Sequence, residues 1–182
     1  MESILDRLTT LDFSVFDTET TGLDSTAEIV SISFVDYYGV PFFSELVKPV
    51  GKISEGAMRI HGITEEMVAD CRSIRFYWDY ICTQYINKKV LVGYNVIYDL
   101  RLLMQSVAAQ DVLLTNTRSF SPLMVIDVMQ LAQMQLKLPK FLKLQELAIV
   151  LGVDIHPEGE QYHGSLFDAQ ITAACLRELV QL

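Results

Sequence analysis

Asp17 and Glu19, in the stretch 15-VFDTETTGLD-24, follow directly on an apolar run. Side chains two apart on a strand face the same side, so their carboxylates would lie together. Two crowded anions repel, and each raises the other's pKa unless a cation stands between them. By itself the pair reads equally well as a strand-end acid and a turn residue, because 20-TTGLD-24 is good turn chemistry.

Two more acids stand at comparable points. Asp99, in 93-GYNVIYDL-100, falls where a short apolar strand gives way to a helix. It could serve only as a first-turn acid complementing the helix dipole, with Asn95 as N-cap. Asp168, in 163-HGSLFDAQ-170, could complete a capping box begun by Ser165. It also shares a helical face with Ile171, Cys175 and Leu179, which puts a carboxylate in an apolar stripe and calls for a partner. His163, five residues before Asp168, is the side chain suited to accept a proton near neutral pH. His61, in 60-IHGIT-64, has a weaker case and His156 none.

Taken together, three of the four acids stand where a strand or loop turns into the next element, as sites of α/β sheets do. Four carboxylates without a nearby thiolate form a hard oxygen environment that suits Mg²⁺ or Mn²⁺ rather than zinc. Such clusters hold two metal ions about 3.5–4 Å apart for phosphoryl chemistry.

The elements that must place these groups follow from hydrophobic periodicity. Strands are expected at 12–17, 28–37 and 40–49, the last two joined through Gly39 as a hairpin. Segment 54–70 is mixed and then helical, with Thr64 as N-cap before Glu65. A helix at 76–86, a strand at 90–94 and a helix over 95–107 come next, and 109–122 has loop character. A strand runs into a helix over 124–133. In 144-LQELAIVLG-152, Leu144, Leu147, Ala148 and Leu151 form one stripe that Gly152 can end. A last helix covers 165–182. Antiparallel strands followed by strands alternating with helices predict an α/β sandwich on a mixed sheet.

The 182 residues suit one domain spanning 1–182, and a 51% hydrophobic, 20% charged composition is globular. The formal charge of −9 argues against broad phosphate contact along duplex DNA, though not against gripping a strand end through bound metal. The basic cluster 137-KLPKFLK-143 reads as a solvated face, and the aromatic run 76-FYWDY-80 as core packing or a contact surface. Cys71, Cys82 and Cys175 form no CxxC pair and read as reduced residues of an intracellular, cytoplasmic protein. No apolar run is long enough to span a bilayer, and 1-MESILDRL-8 lacks the pattern of a secretory signal.

The chain resembles the DnaQ-like 3′–5′ exonucleases of the DEDDh type. Asp17-Thr18-Glu19-Thr20-Thr21-Gly22-Leu23 is similar to that family's first motif, Asn95-x-x-Tyr98-Asp99 to its second, and His163-x-x-x-x-Asp168-Ala169 to its third. Ile60-His61-Gly62-Ile63-Thr64 and Asp127-x-x-x-Leu131-Ala132 resemble recurrent family segments, so the likeness runs from Phe13 to Leu179. Gly164 stands where the sister subgroup carries Tyr, with Tyr162 six residues before Asp168, which favours the His subgroup. Tyr98 and Ser165 stand where Phe and Ala are commoner.

The resemblance implies an RNase H-like fold with a central five-stranded mixed sheet flanked by helices. It implies that Asp17, Glu19, Asp99 and Asp168 hold two divalent ions, Mg²⁺ or Mn²⁺, with His163 as general base. Thr20, Thr21 and Leu23 would line the terminal nucleotide, His61 would contact the strand end, and Asn95 would support the site. The expected activity is hydrolysis of single-stranded nucleic acid 3′ ends, DNA rather than RNA, to nucleoside 5′-monophosphates in proofreading, repair or trimming. A polymerase or another DNA-processing protein is a candidate partner. The alternatives are an RNA-directed oligoribonuclease-like enzyme and a non-catalytic module that binds nucleic acid ends.

Overall fold

The computed structural model describes residues 12–87, 89–110, 120–154 and 164–182. Five strands form one mixed sheet in the order β3-β2-β1-β4-β5. The strands are β1 (Phe13–Thr20), β2 (Ile29–Val35), β3 (Pro41–Leu46), β4 (Val90–Gly93) and β5 (Met124–Asp127). β1 pairs antiparallel with β2 and β2 with β3, whereas β4 runs parallel to both β1 and β5. β1 is therefore the central strand, and its C-terminal end carries Asp17 and Glu19. The predicted sheet and pairing are met, but β1 reaches Thr20, so Glu19 is a strand residue rather than part of a turn.

Alternation along the strands divides the core. Phe16, Phe34 and Leu91 face one layer. That layer is built by α3 (Ile74–Ile81), its π-helical extension Cys82–Ile86, and α4 (Val96–Ala109). The extension is closed by Asn87 N–H donating to the Cys82 carbonyl at 2.8 Å, a wider turn than the uninterrupted helix expected over 76–86. Phe13, Val15, Val90 and Val92 face the other layer, made by α5 (Val128–Gln135), α6 (Leu144–Leu151) and α7 (Ser165–Gln181). A smaller cluster of Val30, Ile53, Ile63 and Val68 lies with α1 (Glu55–His61) and α2 (Glu65–Val68).

Local chemistry sets the element ends. The β2–β3 turn is held by Asp36, whose carboxylate accepts from Tyr38 N–H and Val40 N–H at 2.8 Å, with Gly39 at φ 85°. Ser54 caps α1 by accepting from Ala57 N–H at 3.2 Å, and Thr64 caps α2 as expected. Gly152 ends α6 in the left-handed conformation, also as expected. The capping box anticipated at Ser165 does not form. Gly164 is the N-cap, and its carbonyl accepts from Asp168 N–H at 3.0 Å, which frees the Ser165 hydroxyl for other contacts. Of the aromatic run 76–80, Trp78 is buried while Phe76 and Tyr80 are exposed.

Candidate active site

The end of β1 brings acids together from three elements. Asp17 and Glu19 share one face of the strand, and α7 lays Asp168 beside them from its first turn. Oxygens of these three carboxylates lie within 4.8 Å of one another. Asp99, in the first turn of α4, approaches from the other layer and is buried. Its carboxylate accepts a 2.6 Å hydrogen bond from the hydroxyl of Thr18, the residue between Asp17 and Glu19 that points to the opposite face.

The electrostatics express the crowding. Burial, then the charges of Asp99, Asp168 and Glu19, push the Asp17 carboxyl well above its ordinary value. Burial, then Asp168 and Asp99, raise Glu19 to about 8. Asp99 is raised to about 7 by burial, against the lowering effect of the Thr18 hydrogen bond. Groups that resist ionisation this strongly, with oxygens converging on one point, suit a multivalent cation of hard character. The three clustered carboxylates supply all-oxygen ligands, so the residues present fit divalent metal.

A cleft of about 560 Å³ opens beside the acids, lined by Glu19, Thr20, Leu23, Ala57, Ile60 and Tyr98 among others. Its walls are mostly apolar, and Leu23 projects at its rim with 80% of its surface exposed. Arg101, an exposed residue outside the cleft lining, places its guanidinium 4.9 Å from the ring centre of Tyr98.

Several expected site residues have protein partners of their own. His61 lines the cleft but is only 3% exposed, and both ring nitrogens have protein partners. Ile63 N–H donates to Nδ1 at 3.0 Å, so Nε2 carries the proton and donates to the Thr20 carbonyl at 3.1 Å. Burial lowers its pKa, against that hydrogen bond, and the ring is a neutral strut under Thr20. Thr21 is buried: its hydroxyl accepts from Glu28 N–H at 3.0 Å, and its carbonyl accepts from Ser54 N–H at 2.9 Å. It belongs to the frame and is not among the residues lining the cleft. Asn95 is exposed and also outside the lining. It occupies the N-cap position of α4 at φ 56° without a side-chain cap, and its N–H donates to Asp127 at 3.0 Å. His163, with Tyr162 and His156, lies outside the described residues.

Thr18, Tyr98 and Asp127 were not singled out as site residues from the sequence, yet they carry contacts there. Asp127 accepts from Asn95 N–H and Met129 N–H, tying the start of α4 to the start of α5. The run Asp127-x-x-x-Leu131-Ala132 was the available signal for it. No local signal announced the Thr18–Asp99 pair.

The sheet order, the flanking layers and the acids at the end of the central strand define an RNase H-like nuclease, a class that solved relatives bear out. Exonuclease X in complex with 5′ overhanging duplex DNA superposes with a TM-score of 0.70 at 31% identity, over 93% of this chain and 91% of that one. The family model described as Exonuclease (RNase_T) matches residues 14–176, and the chain belongs to this family of hydrolytic exonucleases. A protein of Escherichia phage 186 described as uncharacterized exonuclease CP81 is 31% identical over 171 residues, covering 91% of this chain and 86% of that protein. Exodeoxyribonuclease 10 of Escherichia coli (strain K12) is 30% identical over 167 residues, covering 91% and 67% respectively.

Proposed function

We propose that this protein is a divalent-metal-dependent 3′–5′ exonuclease that trims DNA ends to nucleoside 5′-monophosphates. The observation that carries the reading is the convergence of the Asp17, Glu19 and Asp168 oxygens within 4.8 Å. Glu19, one of the three, also lines the apolar cleft of about 560 Å³. The DNA preference is supported by likeness to proteins described as acting on or binding DNA.

Asp17, Glu19, Asp99 and Asp168 are assigned as ligands of two ions, Mg²⁺ or Mn²⁺, which would supply an activated water and neutralise charge on the departing oxygen. Thr18 orients Asp99 by its short hydrogen bond. Leu23 at the rim, with Ile60, Ala57 and Tyr98 behind it, gives the terminal base and sugar apolar surfaces to rest on. Thr20 faces the same space, held from below by His61. Arg101 offers its charge to a substrate phosphate beside Tyr98. His163, which directly precedes the Gly164 cap of α7, is assigned as general base, the proton acceptor for the attacking water.

The partner is a DNA 3′ end, free or presented by a polymerase or other DNA-processing protein. The setting assigned is the cytoplasm: the three cysteines are free, and among the described residues no helix is long and apolar enough to cross a membrane.

The test is a denaturing-gel time course on 5′-labelled single-stranded DNA, 5′-overhang duplex DNA and RNA. It is run with Mg²⁺, with Mn²⁺ and with EDTA, beside Asp17→Asn. The expected result is a metal-dependent ladder shortening from the 3′ end of DNA, absent in the variant. Folded protein that cleaves no strand with either metal would return the assignment to a binding module, and preference for RNA would replace the DNA substrate.

A further inference from the structure

Ser31 and Ser33 are polar residues in a strand that is otherwise apolar and is buried along its whole length. Their register is specific: Ser33 pairs with Asp17 and Ser31 with Glu19. Directly paired residues of antiparallel strands project on the same face, so each serine stands beside one of the two acids. The third hydroxyl comes from α7. Ser165 opens that helix one turn before Asp168, and its Oγ lies 2.7 Å from Ser31 Oγ and 2.8 Å from Ser33 Oγ. Each acid of the cluster thus has a bonded serine as its neighbour, across the sheet or along the helix.

Three buried hydroxyls are costly unless they satisfy one another, and here they do. Ser33 makes one further contact, at 2.9 Å, with Ser44 on β3. Apolar side chains would fill the space between sheet and helix without directional preference. A hydroxyl knot fixes both distance and angle.

We propose that Ser31, Ser33 and Ser165 form a positioning clasp that sets the separation of Asp168 from the Asp17–Glu19 pair and so tunes divalent-metal affinity. The inference rests on the metal-binding reading of the acids. None of the three serines is a ligand; they act through the start of α7 and the β1–β2 pairing. Groups that hydrogen-bond a metal ligand directly typically change metal affinity by about 10–100-fold when removed. The serines act one step further out and should fall at the low end of that range.

The experiment is a calorimetric titration of Mn²⁺ into EDTA-stripped wild-type protein, Ser165→Ala, Ser31→Ala and Asp17→Asn, with thermal unfolding recorded for each. Ser165→Ala is expected to raise the Mn²⁺ dissociation constant by about 10-fold, at the low end of that range, with cooperative unfolding retained. Ser31→Ala, which leaves the Ser33–Ser165 contact in place, is expected to raise it less. It decides the matter if Ser165→Ala fails to fold. Wild-type Mn²⁺ affinity in the folded serine variants would overturn the clasp while leaving the metal site intact. Wild-type protein that binds no Mn²⁺ would overturn both readings.

Discussion

Thr18 donates to Asp99 across 2.6 Å although the two positions are 81 residues apart. Both side chains are buried, so Thr18→Val would leave the Asp99 carboxyl without that donor. The expected costs are about 1–3 kcal/mol in unfolding free energy and a fall in nuclease rate, read by urea titration and by the gel assay. The acids themselves predict a pH dependence. Glu19 at about 8 and Asp99 at about 7 lie above the range of about 4 expected in the unfolded chain. The folded state therefore holds more protons than the unfolded state through that interval. This contribution to stability is complete below about pH 4 and is lost as pH rises through about 7–8. In EDTA the melting temperature should fall between pH 5 and 9, and Glu19→Gln should flatten the fall. Added Mg²⁺ should do the same in wild-type protein. A melting temperature that rises over this interval in EDTA would contradict the assignment. Leu23 poses a simpler test. Because it is 80% exposed, Leu23→Ala should leave stability within about 0.5 kcal/mol and raise KM for DNA severalfold.

At the scale of elements, the site depends on how closely β4 and α4 approach β1. Gly93 ends β4, and a Cβ there would stand 2.9 Å from Val96 Cγ2 and 3.3 Å from the Phe16 carbonyl. Gly93→Ala would push the first turn of α4, and Asp99 with it, away from the strand end. We expect a loss of about 1–3 kcal/mol in stability together with weakened metal dependence, checked by unfolding and Mg²⁺ titration of activity. The elements were largely legible in advance. The apolar runs of β1, β2 and β4, the stripe of α6 and the cap at Thr64 are properties of near neighbours. Their bounds were less so. The expected strand stops at Asp17, just ahead of the turn chemistry of 20-TTGLD-24, and pairing with β2 carries it on to Thr20. Ser165 had capping chemistry, but two buried serines on β2 offered its hydroxyl other partners.

For the whole molecule the governing fact is a charge of −9 on an enzyme assigned to a polyanionic substrate. With few lysines or arginines to neutralise phosphates, DNA affinity should depend weakly on monovalent salt and strongly on divalent metal. Fluorescence anisotropy on a short labelled oligonucleotide, using His163→Ala, which the proposed general-base role predicts to be inactive, checks this. The expectation is a salt slope of about −1 to −2 in log–log form and a large loss of binding on adding EDTA. A steep salt slope that persists in EDTA would point instead to a basic binding face.

Sequence alone determined the alternation that builds the sheet, the order of its elements, and the four acids with their chemical type, because these are carried by residue identity and short-range spacing. Tertiary structure decided which side chains face the cleft and which are consumed in holding it. Thr21 and His61 lie in motifs that suggest substrate contact, yet their polar atoms are engaged by Glu28, Ile63 and Thr20. Thr18, Ser31, Ser33 and Ser165 gain their roles from partners far away in the chain. The physical reason is that a buried polar atom must find a partner somewhere, and only the folded chain decides which one is within reach.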